Sequence, residues 1–153
     1  MYKAIARWMI KRNIAQINNG DYSSALAMFG HDATLTFPGD NSWSNMIRPS
    51  KQSRDGFVTH RGHDEIEQFL QRYVKHKMHM VVDDILVNGP PWKTRAAVRV
   101  HHWITGPDGA DVYANRAVLF VNTSWGKIRS QEDYEDTVRV AAYDTYLAAN
   151  RQG

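Results

Sequence analysis

The sequence predicts an α+β fold in which a curved sheet is covered on one face by helices. Three observations point there. Apolar residues recur at helical spacing near the start of the chain and again around residue 70, the spacing switches to alternation from about Met78, and the alternating segments are joined by short turns that imply antiparallel meander pairing. The 153 residues suit a single domain, 1–153, and no internal repeat or low-complexity tract divides them.

A first helix is expected from Tyr2 to Asn18, because Tyr2, Ile5, Ala6, Met9, Asn13, Ile14 and Ile17 keep near the helical period, and Asn18-Asn19-Gly20 ends it. Asp21 can cap a short second helix that buries Tyr22, Ala25, Leu26 and Phe29, with Gly30 free to turn left-handed at its end and His31-Asp32 following as a turn. Ala33 to Phe37 alternates Leu35 and Phe37 with two threonines, which predicts a half-buried strand closed by Pro38-Gly39. The polar stretch from Gly39 to about Ser53 holds Trp43, Met46 and Ile47, so this long loop is expected to fold over the body of the protein or over a ligand. Asp64, with Glu67 three residues on, predicts the start of a third helix that turns Ile66, Phe69, Leu70, Tyr73 and Val74 inward. Strands follow near Met78–Val87, Thr94–Ile104, Val112–Asn122 and Lys127–Glu135, and a closing helix runs from Thr137 to Asn150, with Asp136 placed to cap it.

Several function classes are excluded or disfavoured. There is no cysteine, so disulfide scaffolds, iron–sulfur clusters and thiol nucleophiles are out, and a reducing cytoplasm is compatible. Lys3, Arg7, Lys11 and Arg12 interrupt the apolar N-terminus, which is then neither a signal core nor a membrane span, and a soluble, cytoplasmic protein is expected. Nineteen basic against sixteen acidic residues leave +3, with both signs interspersed; a solvated surface explains this better than a nucleic-acid groove. His60-x-x-His63 and His76-x-x-His79 lack the Glu of a metalloprotease motif, and no glycine-rich phosphate loop occurs, so neither metal nor nucleotide cofactor is expected.

The element order, together with Asn19-Gly20-Asp21-Tyr22, the helix start from Gly62 to Phe69, and the closing run Trp125-Gly126-Lys127-Ile128-Arg129-Ser130-Gln131-Glu132-Asp133-Tyr134-Glu135-Asp136, resembles the nuclear transport factor 2-like superfamily. Within it the likeness is to SnoaL-like polyketide cyclases and limonene epoxide hydrolases. That resemblance implies a cone-shaped, strongly curved, mostly antiparallel sheet with about three helices on its concave face. It implies an apolar pocket between them (a cystatin-like α+β roll), a small apolar molecule as partner, and a homodimer through the outer sheet face. Because the same scaffold serves enzymes and noncatalytic modules, it does not choose a reaction.

Alternation puts Arg99, His101 and Trp103 on one strand face, expected toward the pocket, and Val98, Val100 and His102 on the other, expected outward where a second subunit packs. In the epoxide hydrolases an Arg-x-Asp pair on this strand and an Asp on the last strand form an acid–base triad. Arg99-Val100-His101 and Asp133 occupy the matching places, with His in place of the first Asp. The cyclase resemblance likewise makes Asp133 the general acid–base of ring closure, and Arg99 would tune its charge. An interior Arg–Asp ion pair without catalysis is the competing reading. His101 is a second candidate acid or base, or a hydrogen-bonded interior residue. Asn115 and Tyr113 share a face with Ala117 and Leu119, where the Asn115 amide could hold an oxyanion or satisfy backbone groups. Trp103, Phe37 and Trp43 are candidate walls of a pocket for a flat apolar molecule. Two functions follow as expectations: a cofactor-independent cyclase or isomerase, with an epoxide hydrolase as its variant, or a noncatalytic dimeric module that binds a ligand or partner.

Overall fold

The computed structural model describes residues 1–39 and 57–150; the expected loop beyond Gly39, with Trp43, lies outside them. Elements follow the order α1 (Tyr2–Asn18), α2 (Ser23–Met28), β1 (Phe29–Pro38), β2 (Phe57–Arg61), α3 (Gly62–Lys75), β3 (His79–Asn88), β4 (Thr94–Thr105), β5 (Asp111–Ser124), β6 (Lys127–Glu135) and α4 (Thr137–Asn150). The fold is α+β, as expected, with a six-stranded sheet in the order β2-β1-β6-β5-β4-β3. Every pairing is antiparallel except β1 with β6, which is parallel. Register shifts between Val82 and Asp84, Ile104 and Thr105, and Asn122 and Thr123 insert bulges that bend and twist the strands, which curves the sheet around its inner face.

Two expectations are corrected near the start. The chain passes from α2 directly into β1, so Gly30 is extended rather than left-handed; a Cβ there would meet the Ile128 carbonyl oxygen at 3.1 Å, and the glycine serves close approach to β6. His31 and Asp32, expected as a turn, form an irregularity in β1, where the register with β6 shifts between Phe29 and Thr34 and both side chains are exposed. The edge strand β2 carries too short an alternation to stand out in sequence. Helix α3 starts two residues before the expected Asp64, and Glu65 reaches back to accept the Arg61 backbone N–H at 2.7 Å.

The core is a row of apolar side chains on the inner sheet face. On β4 this row is Ala96, Val98, Val100 and Ile104, all buried, while Arg95 and Arg99 are exposed. Ile66, Phe69, Leu70 and Tyr73 of α3 face that row as expected, and Val140 and Tyr143 of α4 complete it. Asp136 caps α4, accepting the Val138 N–H at 3.0 Å.

Helix α1 is held differently. It has no fully buried residue, and Ile10, Ile14 and Ile17 only half-sink into the core. Polar fasteners tie it to the sheet: the Tyr2 hydroxyl to the Thr94 hydroxyl at 2.9 Å, Arg7 Nε to the Ile85 carbonyl at 3.3 Å, and the Asn18 amide to Met80. Asn18 donates to the Met80 carbonyl at 2.7 Å and accepts the Met80 N–H at 2.9 Å, as a neighbouring strand would. Replacing Asn18 by Ala strands both backbone groups. It is expected to cost about 1–3 kcal/mol in urea unfolding and to speed hydrogen exchange at the Met80 amide.

Candidate functional site

Between α1, α3 and the inner sheet face lies a cavity of about 120 Å³, walled by Ile14, Met28, Leu35, Phe69, Tyr73 and Met80, with Gln131 and Asp133 on the sheet side. A second space of about 20 Å³, room for one water molecule, continues past Phe69, Tyr73 and Leu119 to Phe37, His102, Tyr113 and Glu135. Asp133 borders both. Its place follows from register: Asp133 pairs with Leu119 and Glu135 with Ala117, two inward positions of β5, so β6 turns Gln131, Asp133 and Glu135 to the same side.

Asp133 is 9% exposed and accepts a hydrogen bond from Gln131 Nε2 at 2.9 Å. No Lys or Arg lines either space among the described residues. Burial pushes the Asp133 carboxyl up to about 8; the Gln131 bond opposes this weakly and the charge of Glu135 adds to it. Glu135 lies further along the same face. Burial raises its carboxyl to about 7, against a lowering bond from Tyr113. The Tyr113 hydroxyl lies 3.4 Å from Glu135 Oε2 and 3.4 Å from His102 Nε2, and it accepts from Asn115 Nδ2 at 3.1 Å. His102 Nε2 is 3.9 Å from Glu135 Oε2, yet burial, with His101 adding, lowers the imidazole to about 4. The two shifts agree: in this apolar setting the neutral imidazole and the neutral acid are favoured over an ion pair.

The expected site residues divide by face. Asp133, Tyr113, Asn115 and Phe37 point inward and are buried. Arg99, His101 and Trp103 do share a face, but it is the outer one, so the sheet separates them from Asp133. There His101 Nδ1 meets Asp83 at 2.7 Å, and Trp103 stacks between His79 and His101 with both centroid distances 5.7 Å. Arg99 therefore does not tune Asp133, His101 is not its partner acid or base, and Trp103 is no pocket wall. Conversely, Val98, Val100 and His102, expected to face outward, line the interior. The physical reason is the row Ala96-Val98-Val100-Ile104, whose burial outweighs that of a single tryptophan beside two arginines. Asn115 spends its amide hydrogens on Tyr113 and on the Asp136 carbonyl at 3.0 Å, which ties β5 to the start of α4 rather than leaving a free oxyanion donor. Trp43 lies outside the described residues.

Glu135, His102, Gln131 and Tyr73 complete the site without having been singled out. Period-two counting from Asp133 reaches Gln131 and Glu135 directly, and the apolar row of β4 reaches His102. Tyr73 was expected only as a core residue of α3.

A family model described as SnoaL-like domain matches residues 10–131, ending just short of Asp133. A comparison with curated proteins finds no match. Among solved structures, an NTF2-like protein of unknown function from Burkholderia pseudomallei is similar at TM-score 0.67 and 20% identity, over 92% of this chain and 97% of that one. The epoxide hydrolase/cyclase-like enzyme SalBIII, with a role in pyran ring formation in the polyether salinomycin, is similar at 0.65 and 15%, over 90% and 95%. TerC, co-crystallised with polyporic acid, is similar at 0.64 and 19%, over 87% and 92%. These identities carry the fold alone. With the family model spanning most of its length, the chain belongs to the SnoaL-like domain family.

Proposed function

We propose that this protein is a cofactor-independent acid–base enzyme of cyclase or isomerase type, acting on a small apolar ring compound that bears a carbonyl group, with Asp133 carrying the proton. The observation behind this reading is the placing of Asp133: a buried carboxyl with no cation opposite it among the described residues, on the wall of an apolar cavity, with a proton affinity shifted to about 8. Such a group holds and releases a proton near neutral pH. As carboxylate it takes a proton from the carbon beside the carbonyl, and as acid it returns that proton to another atom of the same molecule, with no other reactant consumed. Protonated Glu135, held by the Tyr113 hydroxyl, supplies an O–H donor toward oxygen at the far end of the space. A cavity of about 120 Å³ is of the size that takes one aromatic ring, since an apolar void of about 150 Å³ accepts benzene. SalBIII, an epoxide hydrolase/cyclase-like enzyme, and TerC, co-crystallised with polyporic acid, are in keeping with this class. The epoxide hydrolase variant loses support, because its Arg–Asp couple is not formed here.

The proposal includes pairing of two copies through the outer sheet face. The exposed apolar residues there are Val81, Leu86, Val118 and Tyr134, in place of the expected Val98, Val100 and His102. Sedimentation is expected to show a dimer that Val118→Arg disperses; a monomeric wild type removes this part.

Thermal-shift screening against cyclic ketones, polyketide-like aromatics and terpene epoxides, followed by mass spectrometry, tests the catalytic reading. Wild type is expected to convert a stabilising carbonyl compound, and Asp133→Asn to keep binding while losing about 10²–10⁴-fold in rate. Binding without product for every stabilising compound would instead favour the noncatalytic module.

Stability provides a separate check. A carboxyl raised from 3.8 to about 8 keeps its proton in the folded chain while the unfolded chain loses it, so stability falls as pH rises through that window. His102 acts in the opposite direction, costing stability as pH drops from 6.5 toward 4. Asp133→Asn should therefore gain on wild type between pH 4 and 8 with a slope approaching about 1.4 kcal/mol per pH unit, read from urea titrations; equal slopes would contradict the raised affinity.

A further inference from the structure

Two turns at one end of the sheet present a pair of exposed tryptophans that the interior site does not use. Trp92 lies in the turn between β3 and β4 and Trp125 in the turn between β5 and β6, with ring centroids 5.9 Å apart. Trp125 sits at φ 52°, in the left-handed region that a bulky residue rarely occupies, and it is 72% exposed, so little burial offsets that strain. Helix α1 starts at the same place. The Tyr2 hydroxyl meets the Thr94 hydroxyl at 2.9 Å, Thr94 donates to the Pro90 carbonyl at 2.7 Å, and Trp125 donates its backbone N–H to the Pro91 carbonyl at 2.8 Å. The first turn of the helix and both strand turns thus form one bonded cluster. On the outward side of α1, Met1, Ile5 and Trp8 continue the exposed apolar surface, and the Arg12 guanidinium lies 5.4 Å from the Trp8 ring centre.

Charge separates along the strands. Asp21 is the first acid of the chain, and none occurs between Asp84 and Asp108 or between Asp111 and Glu132. Lys3, Lys11, Arg12 and Lys93 are exposed at this end and along α1, whereas Asp108, Asp111 and Asp136 stand at the opposite ends of β4, β5 and β6.

We infer that this end is a docking surface for a bilayer bearing anionic lipid, with Trp92 and Trp125 at headgroup depth and the lysines of α1 and the first turn set against the lipid charge. Indoles suit that depth, because the ring is apolar and its N–H finds a polar partner there. No helix among the described residues is long and apolar enough to cross a membrane, so the contact lies in the plane of the surface. A second copy is a poor occupant, since facing ends would set like charges together. A nucleic acid would match the cations and leave Met1 and Ile5 without an apolar bed. None of these residues lines the interior, so docking is independent of the catalytic reading.

Vesicle co-sedimentation of the full-length protein tests this, with phosphatidylcholine and phosphatidylserine in equal parts and with phosphatidylcholine alone, at low ionic strength. Wild type is expected to pellet with the anionic vesicles, to be released by salt, and to show tryptophan quenching by bromine-labelled acyl chains. Trp92→Ala combined with Trp125→Asn, the latter because asparagine tolerates a left-handed φ, is expected to lower binding about tenfold or more and to remove most of the quenching. Lys3→Gln, Lys11→Gln and Lys93→Gln together should lower binding on the order of 100-fold, about fivefold for each cation. Both variants change only exposed side chains, and either carries the test if the other does not fold. Absence of wild-type binding to the anionic vesicles overturns the inference, as does binding that a folded variant keeps unchanged. Tighter retention by single-stranded DNA than by vesicles at matched charge and salt would assign the surface to nucleic acid. Dispersal of an oligomer by the tryptophan variant, without vesicle binding, would assign it to a second copy; each overturns the inference.

Discussion

The pleat of β4, β5 and β6 is the constraint on which the rest depends. Because side chains alternate across a sheet, the choice of which face of Val98 and Val100 is buried also decides where His102 goes, and with it Arg99, His101 and Trp103. The bulge-adjusted register then carries that choice across the sheet. His102 stands opposite Asn115, Ala117 opposite Glu135, and Leu119 opposite Asp133. One apolar row thus delivers two carboxyls, an imidazole and a phenol to the same enclosed space, and no separate device positions them.

Polar groups reach that space along β6, at its β4–β5 end, and from Asn13 and Tyr73 on the helices. Elsewhere its surfaces are mainly Ile, Leu, Met and Phe, so among the described residues neither carboxyl finds a cation and burial favours the protonated form of each. The arrangement is costly for folding, and the proposed reaction would draw on that cost, because a carboxyl that resists ionisation is a usable acid at neutral pH. Gln131 and Tyr113 moderate the effect through single hydrogen bonds to Asp133 and Glu135.

Much of this was legible in the residues themselves. The helical stretch from Tyr2 to Asn18, the strand from Lys127 to Glu135 and the helix from Thr137 to Asn150 stand where periodicity and caps put them. Tyr113, Asn115 and Asp133 point inward because alternation leaves them no other face once Ala117 and Leu119 are buried. The side of β4 was misjudged for a physical reason. Trp103 is the largest apolar residue of that strand and attracts the pocket assignment, but it shares its face with Arg95 and Arg99, and four smaller apolar residues on the other side bury more together than one indole does alone. Gly30 was misread because a glycine after a helix suits both a left-handed cap and a close strand contact, and only the approach of Ile128 separates the two. The partnering of Tyr113 with His102 and Glu135 depends on side-chain reach across three strands, which no local pattern encodes.

Helix α1 roofs the cavity with Ile10, Ile14 and Ile17 and, through Asn18 and Arg7, occupies backbone groups of β3, the outermost strand on that side of the sheet. Any excursion of the helix that admits a molecule from above also bares a strand edge, which is a template for pairing with another chain. Access to the interior and resistance to aggregation are therefore drawn from the same few contacts. Loosening the roof to take larger molecules would raise the tendency to self-associate through β3 unless that edge were given a charge or a proline of its own.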